Sequence, residues 1–476
     1  MPSGYSGANL LAVSAKSQLA LSLPSGISNA MRPVGRLALA PFAGGTPREL
    51  DPDVGFADFS PDGEKLSVVR GNSGNISLEY PSGTVLYRSG YYLSYPRISP
   101  SGEYVAFLDH PRGAMGDSGD VVVLNRAGKT ILRKGPYYTL EGLAWSPRGD
   151  EVWFGGDPSG NRMDLRAVTL GERERVVLAA PMQLLPHDVA PDGRVLASTV
   201  EYRTRVFYRG EAASAERELS AQGNSAVGAI SPDGAWVALS DDSVNGSIQS
   251  YLRSTSGAPP VSLGPGFPIE FAPDGRSLLV VQLQGEVPVV VLHPVGPGQS
   301  TSIKLERFEV TTTDRVAGFL PDGKSIWFSG NQPSRPPRIW EVVVSRGKPR
   351  PVTPEGVSGR VTDDGGSVVF SRDGKWWIQP IAGGEARPVE GLLEGERVAA
   401  WTADGKPLFV WRPKQCPAKI YRLDSRTGKR EFFREIGPAD PSGVQNIALL
   451  ISPDGKACTY GVNQWLSELY LIDGLR

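Results

Sequence analysis

The chain is poor in the side chains on which most catalytic and redox chemistry is built. Its 476 residues hold three histidines, two cysteines and five methionines. His110, His187 and His293 stand in unrelated segments with no HExxH and no Cys/His cluster, which argues against a zinc site. Neither charge sign dominates: 50 basic against 51 acidic residues give a net charge of −1. With no basic block, nucleic-acid binding through a charged face has no support. No apolar run approaches the length of a membrane span, so direct membrane insertion is not expected. The first 25 residues lack the basic and apolar regions of a signal peptide. Helical periodicity and a dinucleotide-type GxGxxG are both missing, and no cofactor is expected.

What the chain has in excess is turn chemistry, with 57 glycines and 41 prolines. Ser60-Pro61-Asp62-Gly63 returns as Ser99-Pro100-Ser101-Gly102, Ser146-Pro147-Arg148-Gly149, Ala190-Pro191-Asp192-Gly193, Ser231-Pro232-Asp233-Gly234 and Ala272-Pro273-Asp274-Gly275. It continues as Leu320-Pro321-Asp322-Gly323, Thr362-Asp363-Asp364-Gly365, Thr402-Ala403-Asp404-Gly405 and Ser452-Pro453-Asp454-Gly455. From one final Gly to the next the step is 39 to 50 residues. Proline presets the first corner of a tight turn, Asp accepts local backbone hydrogen bonds, and Gly supplies φ > 0.

Each turn lies between β-rich runs, such as Phe56-Ala57-Asp58-Phe59 and Leu66-Ser67-Val68-Val69, and so joins two strands, A and B. A second hairpin follows. Leu37 to Leu50, with Gly44-Gly45 at its tip, aligns with Trp377 to Val389, with Gly383-Gly384 at its tip. Looser copies are Leu124–Leu132 and Val344–Val352, and these hairpins read as strands C and D. Four antiparallel strands per period are one propeller blade. A degenerate unit at Leu10–Leu21 brings the expectation to an all-β propeller fold of about eleven four-stranded antiparallel blades. Closed rings carry about 4–8 blades, so two propellers are expected, 1–265 with about six blades and 266–476 with about five. The break falls near Pro265-Gly266. The last unit ends on Glu468–Ile472 as strand C, and a segment near Asn9-Leu10-Leu11 is a candidate for its missing strand D.

Several segments imitate functional motifs. Gly116-Asp117-Ser118-Gly119-Asp120 looks like the nucleophile loop of chymotrypsin-like proteases, yet it sits in a B–C connection where such residues serve turns. Gly4-Tyr5-Ser6-Gly7 lacks the helix that follows a nucleophile elbow. The acidic pairs Asp51-Pro52-Asp53 and Asp241-Asp242 read as solvated loops, because the spacing lacks a full Ca²⁺ ligand set. Cys416 and Cys458 lie 42 residues apart, in neighbouring repeats, and are expected as reduced thiols. Trp145, Trp236, Trp376, Trp377 and Trp401 read as blade-to-blade packing, with an aromatic ligand platform as the alternative for exposed ones. No catalytic, cofactor or metal residue is assigned. The Asp and Gly of the recurring turns are structural by the same reasoning.

The Ser-Pro-Asp-Gly units resemble the WD-like repeats of TolB and of the non-catalytic domains of the tricorn protease. Leu78–Tyr87, Val105–Pro111, Glu141–Pro147, Arg350–Val357, Pro417–Asp424 and Leu466–Leu475 are similar to the C-terminal propeller region of bacterial, notably acidobacterial, eukaryotic-like serine/threonine kinases. The chain has no His-Arg-Asp loop, Asp-Phe-Gly or Val-Ala-Ile-Lys, so the resemblance carries no kinase activity to any residue. It implies a truncated or free-standing sensor module, with a periplasmic position if a membrane-anchored kinase carries it. The expected function is docking of a protein, peptide or small ligand at one propeller face. A TolB-like periplasmic scaffold and the propeller portion of a hydrolase are the alternatives.

Overall fold

The computed structural model describes residues 8–475 apart from 25–33, 73–74, 111–116, 160–162, 180–182, 211–215, 243–247, 285–286, 307, 310–316, 346, 373–374, 403, 405, 425–426 and 453. Among the described residues every regular element is a β-strand. The strands form seven four-stranded antiparallel sheets, one seven-stranded sheet and one five-stranded sheet, almost all joined in sequence order. This is an all-β propeller protein. The motif segments Gly4-Tyr5-Ser6-Gly7 and Gly116, together with Gly405, lie outside the described residues.

The recurring turns explain the meander. In nine of them the Gly has φ between 61° and 90°, and its N–H donates to the carbonyl three residues earlier at 2.7–2.9 Å. The first residue does as much work as the last. The Ser60 hydroxyl donates to Asp62 at 2.5 Å and accepts the Lys65 N–H at 2.9 Å. Ser231, Thr362 and Ser452 repeat the arrangement. These bonds favour the ionised carboxylate and hold Asp62, Asp233 and Asp454 below their usual range. Proline has a second role, because a Cβ added to Gly102, Gly149, Gly275 or Gly365 would touch Pro61, Pro100, Pro232 or Pro321. These four turns therefore nest on the turn of the preceding repeat.

The chain divides into two compact units: residues 1–201 with 466–476, and residues 202–465. The break expected at Pro265-Gly266 is instead a one-residue step between strands Val261–Pro265 and Phe267–Phe271, inside the second unit. The division falls within two 15-residue strands, Val195–Arg209 and Cys458–Ile472. Pairing between segments so far apart in sequence leaves no local composition signal.

In the first unit, strand Arg48–Phe59 serves two successive four-stranded repeats, closing one and opening the next. Asp51-Pro52-Asp53 is the kink between its two roles. Asp53 has φ 56°, and Arg70 holds the kink through Asp51 at 3.2 Å and the Pro52 carbonyl at 3.1 Å. The next two sheets span Tyr92–Tyr137 and Thr139–Leu178. Gln183–Val189 follows, packed on the sheet before it, with Ile472 and Leu475 completing that core.

The second unit closes on itself. Its last sheet takes two strands from the C-terminal side, Val444–Ile451 and Cys458 onward, and two from the residues around Phe207 and Arg217–Glu218. The rings of Phe207 and Tyr460 stack at 5.2 Å, Thr459 donates to the Phe207 carbonyl at 3.0 Å, and Arg205 donates to Gln464 at 2.8 Å. Gly234, in the unit's first complete sheet, nests on Ala457 of this last one. The Asn9-Leu10-Leu11 segment pairs with Gln18–Pro24 and takes no part in it. The expectation of an N-terminal closing strand is therefore corrected: Cys458–Ile472 pairs with the mid-chain strand Val195–Arg209 instead.

Candidate binding site in the first unit

The inner strands share a local irregularity that aims side chains. Register shifts occur between Val54 and Phe56, Ser94 and Arg97, Glu141 and Leu143, and Pro186 and Asp188. A bulge leaves its extra residue outside the ladder and redirects it. Here the extra residues include Tyr95, held at φ 48°, and His187.

Arg97 gathers this set. Its guanidinium lies 3.6 Å from Asp58. It donates to the Leu143 carbonyl at 3.1 Å and to the His187 carbonyl at 3.3 Å. Asp58, Arg97, Leu143 and His187 sit on the inner strands of four successive repeats. A single side chain that reaches all four occupies the axis about which those sheets are arranged. Asp58 also accepts the Ile98 N–H at 2.8 Å, and the Arg97 carbonyl accepts the Trp145 indole N–H at 3.0 Å. Burial raises the Asp58 carboxyl, with Arg97 opposing it. Burial lowers the His187 imidazole and the Arg97 charge adds to it, while its Nε2 meets the Ser198 hydroxyl at 2.8 Å.

Beside this axis stands an acidic and aromatic group. Burial, with Asp117 within hydrogen-bond reach, pushes Glu141 up to about 7. Burial raises the Tyr95 hydroxyl as well, with Glu141 contributing. Phe56 packs on Tyr95 at 5.1 Å and on Tyr92 at 6.2 Å, and Tyr92 lies 5.1 Å from the His110 ring. His110 Nδ1 donates to the Ser118 carbonyl at 3.1 Å, leaving Nε2 to accept from Ser94 at 2.8 Å. The contact from His110 to Ser118 is thus to the main chain and not to the hydroxyl, and the protease-like loop serves to fix Asp117 beside Glu141.

The other sequence candidates have structural partners. Asp241 accepts the Ser225 hydroxyl at 2.6 Å and the Gln222 and Asn224 amides, and Asp242 accepts the Asn224 side chain at 2.5 Å. His293 meets Ser300 at 2.9 Å. Cys416 and Cys458 are both free thiols on one apolar cluster. Trp376 and Trp401 meet edge to face at 5.7 Å between neighbouring sheets. Among the described residues no group of three or more His, Cys, Asp or Glu is placed to hold a metal.

Sequence reasoning missed Arg97, Glu141 and Tyr95 as a set. One signal was available: two residues before five of the ten turns stand Asp58, Arg97, Asp188, Glu270 and Arg360, charges on strands that otherwise read as apolar.

No protein-family model and no curated protein sequence matches the chain. Among solved structures it is similar to TolB from Acinetobacter baumannii, with 13% identity over 68% of this chain and 76% of that one, at a TM-score of 0.26. A putative TolB from Agrobacterium tumefaciens is 16% identical over 74% of this chain and 99% of that one, at a TM-score of 0.28. The tricorn protease is 11% identical over 97% of this chain and 62% of its own length, at a TM-score of 0.30. These similarities concern sheet architecture and assign no residue a role.

Proposed function

We propose that the chain is a non-catalytic docking scaffold of the TolB-like kind, which receives an extended partner peptide at the axis of its first unit. The observation that carries this reading is the Arg97 network. It ties the inner strands of four repeats into one rigid wall and leaves Tyr92, Tyr95, Glu141 and Asp117 grouped beside it. Aromatic faces next to carboxylates suit a basic side chain or an amino terminus. Preorganised groups of this sort favour recognition, since little ordering remains for binding to supply. A role as sensor portion of a kinase rests on the sequence resemblance alone and is the finer, secondary reading.

Immobilised full-length chain would be offered a library of lysine- and arginine-containing peptides, alongside generic esterase, peptidase and glycosidase substrates. Capture that falls at least tenfold in Glu141→Gln and Tyr92→Ala is the expected outcome. Turnover of any substrate, abolished by Ser118→Ala, would replace docking by catalysis. Capture that both variants leave unchanged would move the site elsewhere.

A further inference from the structure

The seven four-stranded sheets each carry a fourth, outermost strand. One sheet end in the first unit has no such cover. Strand Val195–Arg209 follows Gln183–Val189 in the sheet, and Cys458–Ile472 follows it. The latter's other neighbour, Val444–Ile451, pairs only as far as Gln464. From Leu466 to Ile472 the outer edge therefore has no partner strand among the described residues. Ile472 turns inward onto the cluster holding Val195 and Ala197. Leu469, Leu471 and Tyr470 are 67%, 55% and 37% exposed.

An apolar edge of seven residues is a template for strand pairing, and stable proteins ordinarily blunt such edges with charge, proline or a covering segment. Here Glu468 is the only charge between Leu466 and Ile472, and proline is absent from the stretch.

We infer that this edge pairs antiparallel with the same edge of a second copy of the chain. The segment is self-complementary about Leu469. Leu466 then faces Ile472, Ser467 faces Leu471, Glu468 faces Tyr470, and Leu469 faces itself. Centring the two-fold on Tyr470 sets Glu468 opposite Ile472. No register centred from Leu469 onward brings Glu468 against its own mate, and like charges directly opposed are what such pairing must avoid. An isologous contact of this kind closes after two copies, so it gives a dimer and no fibre. The three strands at this end become one continuous six-stranded sheet. One strand pair is a small interface, so the dimer is weak and concentration-dependent.

Sedimentation of the full-length chain across the micromolar range tests this, with hydrogen exchange at Leu466–Ile472 as the second reading. A shift from one to two chains with concentration is expected, together with slower exchange in the concentrated sample. Leu469→Lys opposes two lysines on the two-fold and is expected to weaken association at least tenfold. Leu469→Thr, a neutral strand former, is expected to retain it. A single-chain mass throughout overturns the inference. So does a dimer that Leu469→Lys leaves intact, which would place the contact on another surface.

Discussion

The same repeat position does different work in the two units. Two residues before the turn, the first unit carries Asp58, Arg97, Ala144 and Asp188, and the second carries Ala229, Glu270, Gly318, Arg360, Ala400 and Leu450. In the second unit these residues act locally. Glu270 accepts the Phe319 N–H of the next sheet at 2.9 Å, and Arg360 binds Asp363 of its own turn at 2.8 Å. The Asp58 contact to Ile98 is the first unit's version of the Glu270 bond. Arg97 adds to it a reach across the axis. The second unit draws its coherence from a closing sheet whose strands come from its two ends. The first draws it from a central ion pair and shared carbonyls. Ring closure and a polar hub are two solutions to one problem, that of keeping radially placed sheets from separating.

Substitution of each device sharpens this contrast. Gly234→Val is the most damaging change, because the turn has φ 69° and any Cβ collides with that of Ala457. Strain and clash together are expected to cost about 3–5 kcal/mol. Gly193→Val carries only the strain, since φ is 90° and no atom lies within 4 Å of the added Cβ. Its cost is about 1–2 kcal/mol. Calorimetry on both variants checks the pair, and equal losses would remove the closing contact from the explanation.

Arg97→Ala is expected to cost about 2–4 kcal/mol. It strands Asp58, whose side chain is 18% exposed, and leaves the Leu143 and His187 carbonyls without their donor. Urea unfolding should show the loss in the first unit alone, read from Trp145 fluorescence. A loss shared with the second unit would mean that the hub is not a local device.

The Glu141 carboxyl gives a smaller, pH-dependent effect. Its folded value near 7 lies above its ordinary 4.5, so the native state binds more protons than the unfolded chain between these limits. Stability then falls as pH rises through that window, by up to about 1.4 kcal/mol per pH unit. Glu141→Gln should raise the melting temperature at pH 8 and leave it nearly unchanged at pH 4. An equal gain at both values would show that no proton is taken up there.

The smallest effect concerns the two thiols. Burial pushes Cys458 up to about 12, and it raises the half-buried Cys416 as well. Native protein at pH 8 should label slowly at Cys416 and at Cys458 only on unfolding. Fast labelling of Cys458 would mean that the closing sheet of the second unit opens readily.

The recurring turns were legible because their chemistry is local: Pro61, Asp62 and Gly63 each answer to a backbone requirement within four residues. The C–D hairpins were legible for the same reason, through Gly44-Gly45 and Gly383-Gly384. The unit boundary was not. It is set by pairing of strands more than 200 residues apart in sequence, and Val195–Arg209 reads as an ordinary β-run. The site was legible only in fragments. Asp117 and Ser118 drew notice as a protease-like motif, while Glu141, which explains Asp117, lay in a segment noted only for resemblance. Tyr95 and Arg97 differ from core residues by the direction of their side chains, which a bulge decides and periodicity does not record.

Where a turn nests on the proline before it, as at Gly102, Gly149, Gly275 and Gly365, the contact has a consequence for how these repeats can change. A glycine and the proline of its predecessor form one joint held by two different units, so a whole repeat can be gained or lost only if both halves of the joint travel with it. Duplication that cuts between strands B and C preserves such a joint, whereas a cut at the turn itself breaks it. The register of the array is thereby guarded during copying, and drift is steered toward the B–C loops, where new recognition can arise without disturbing the frame.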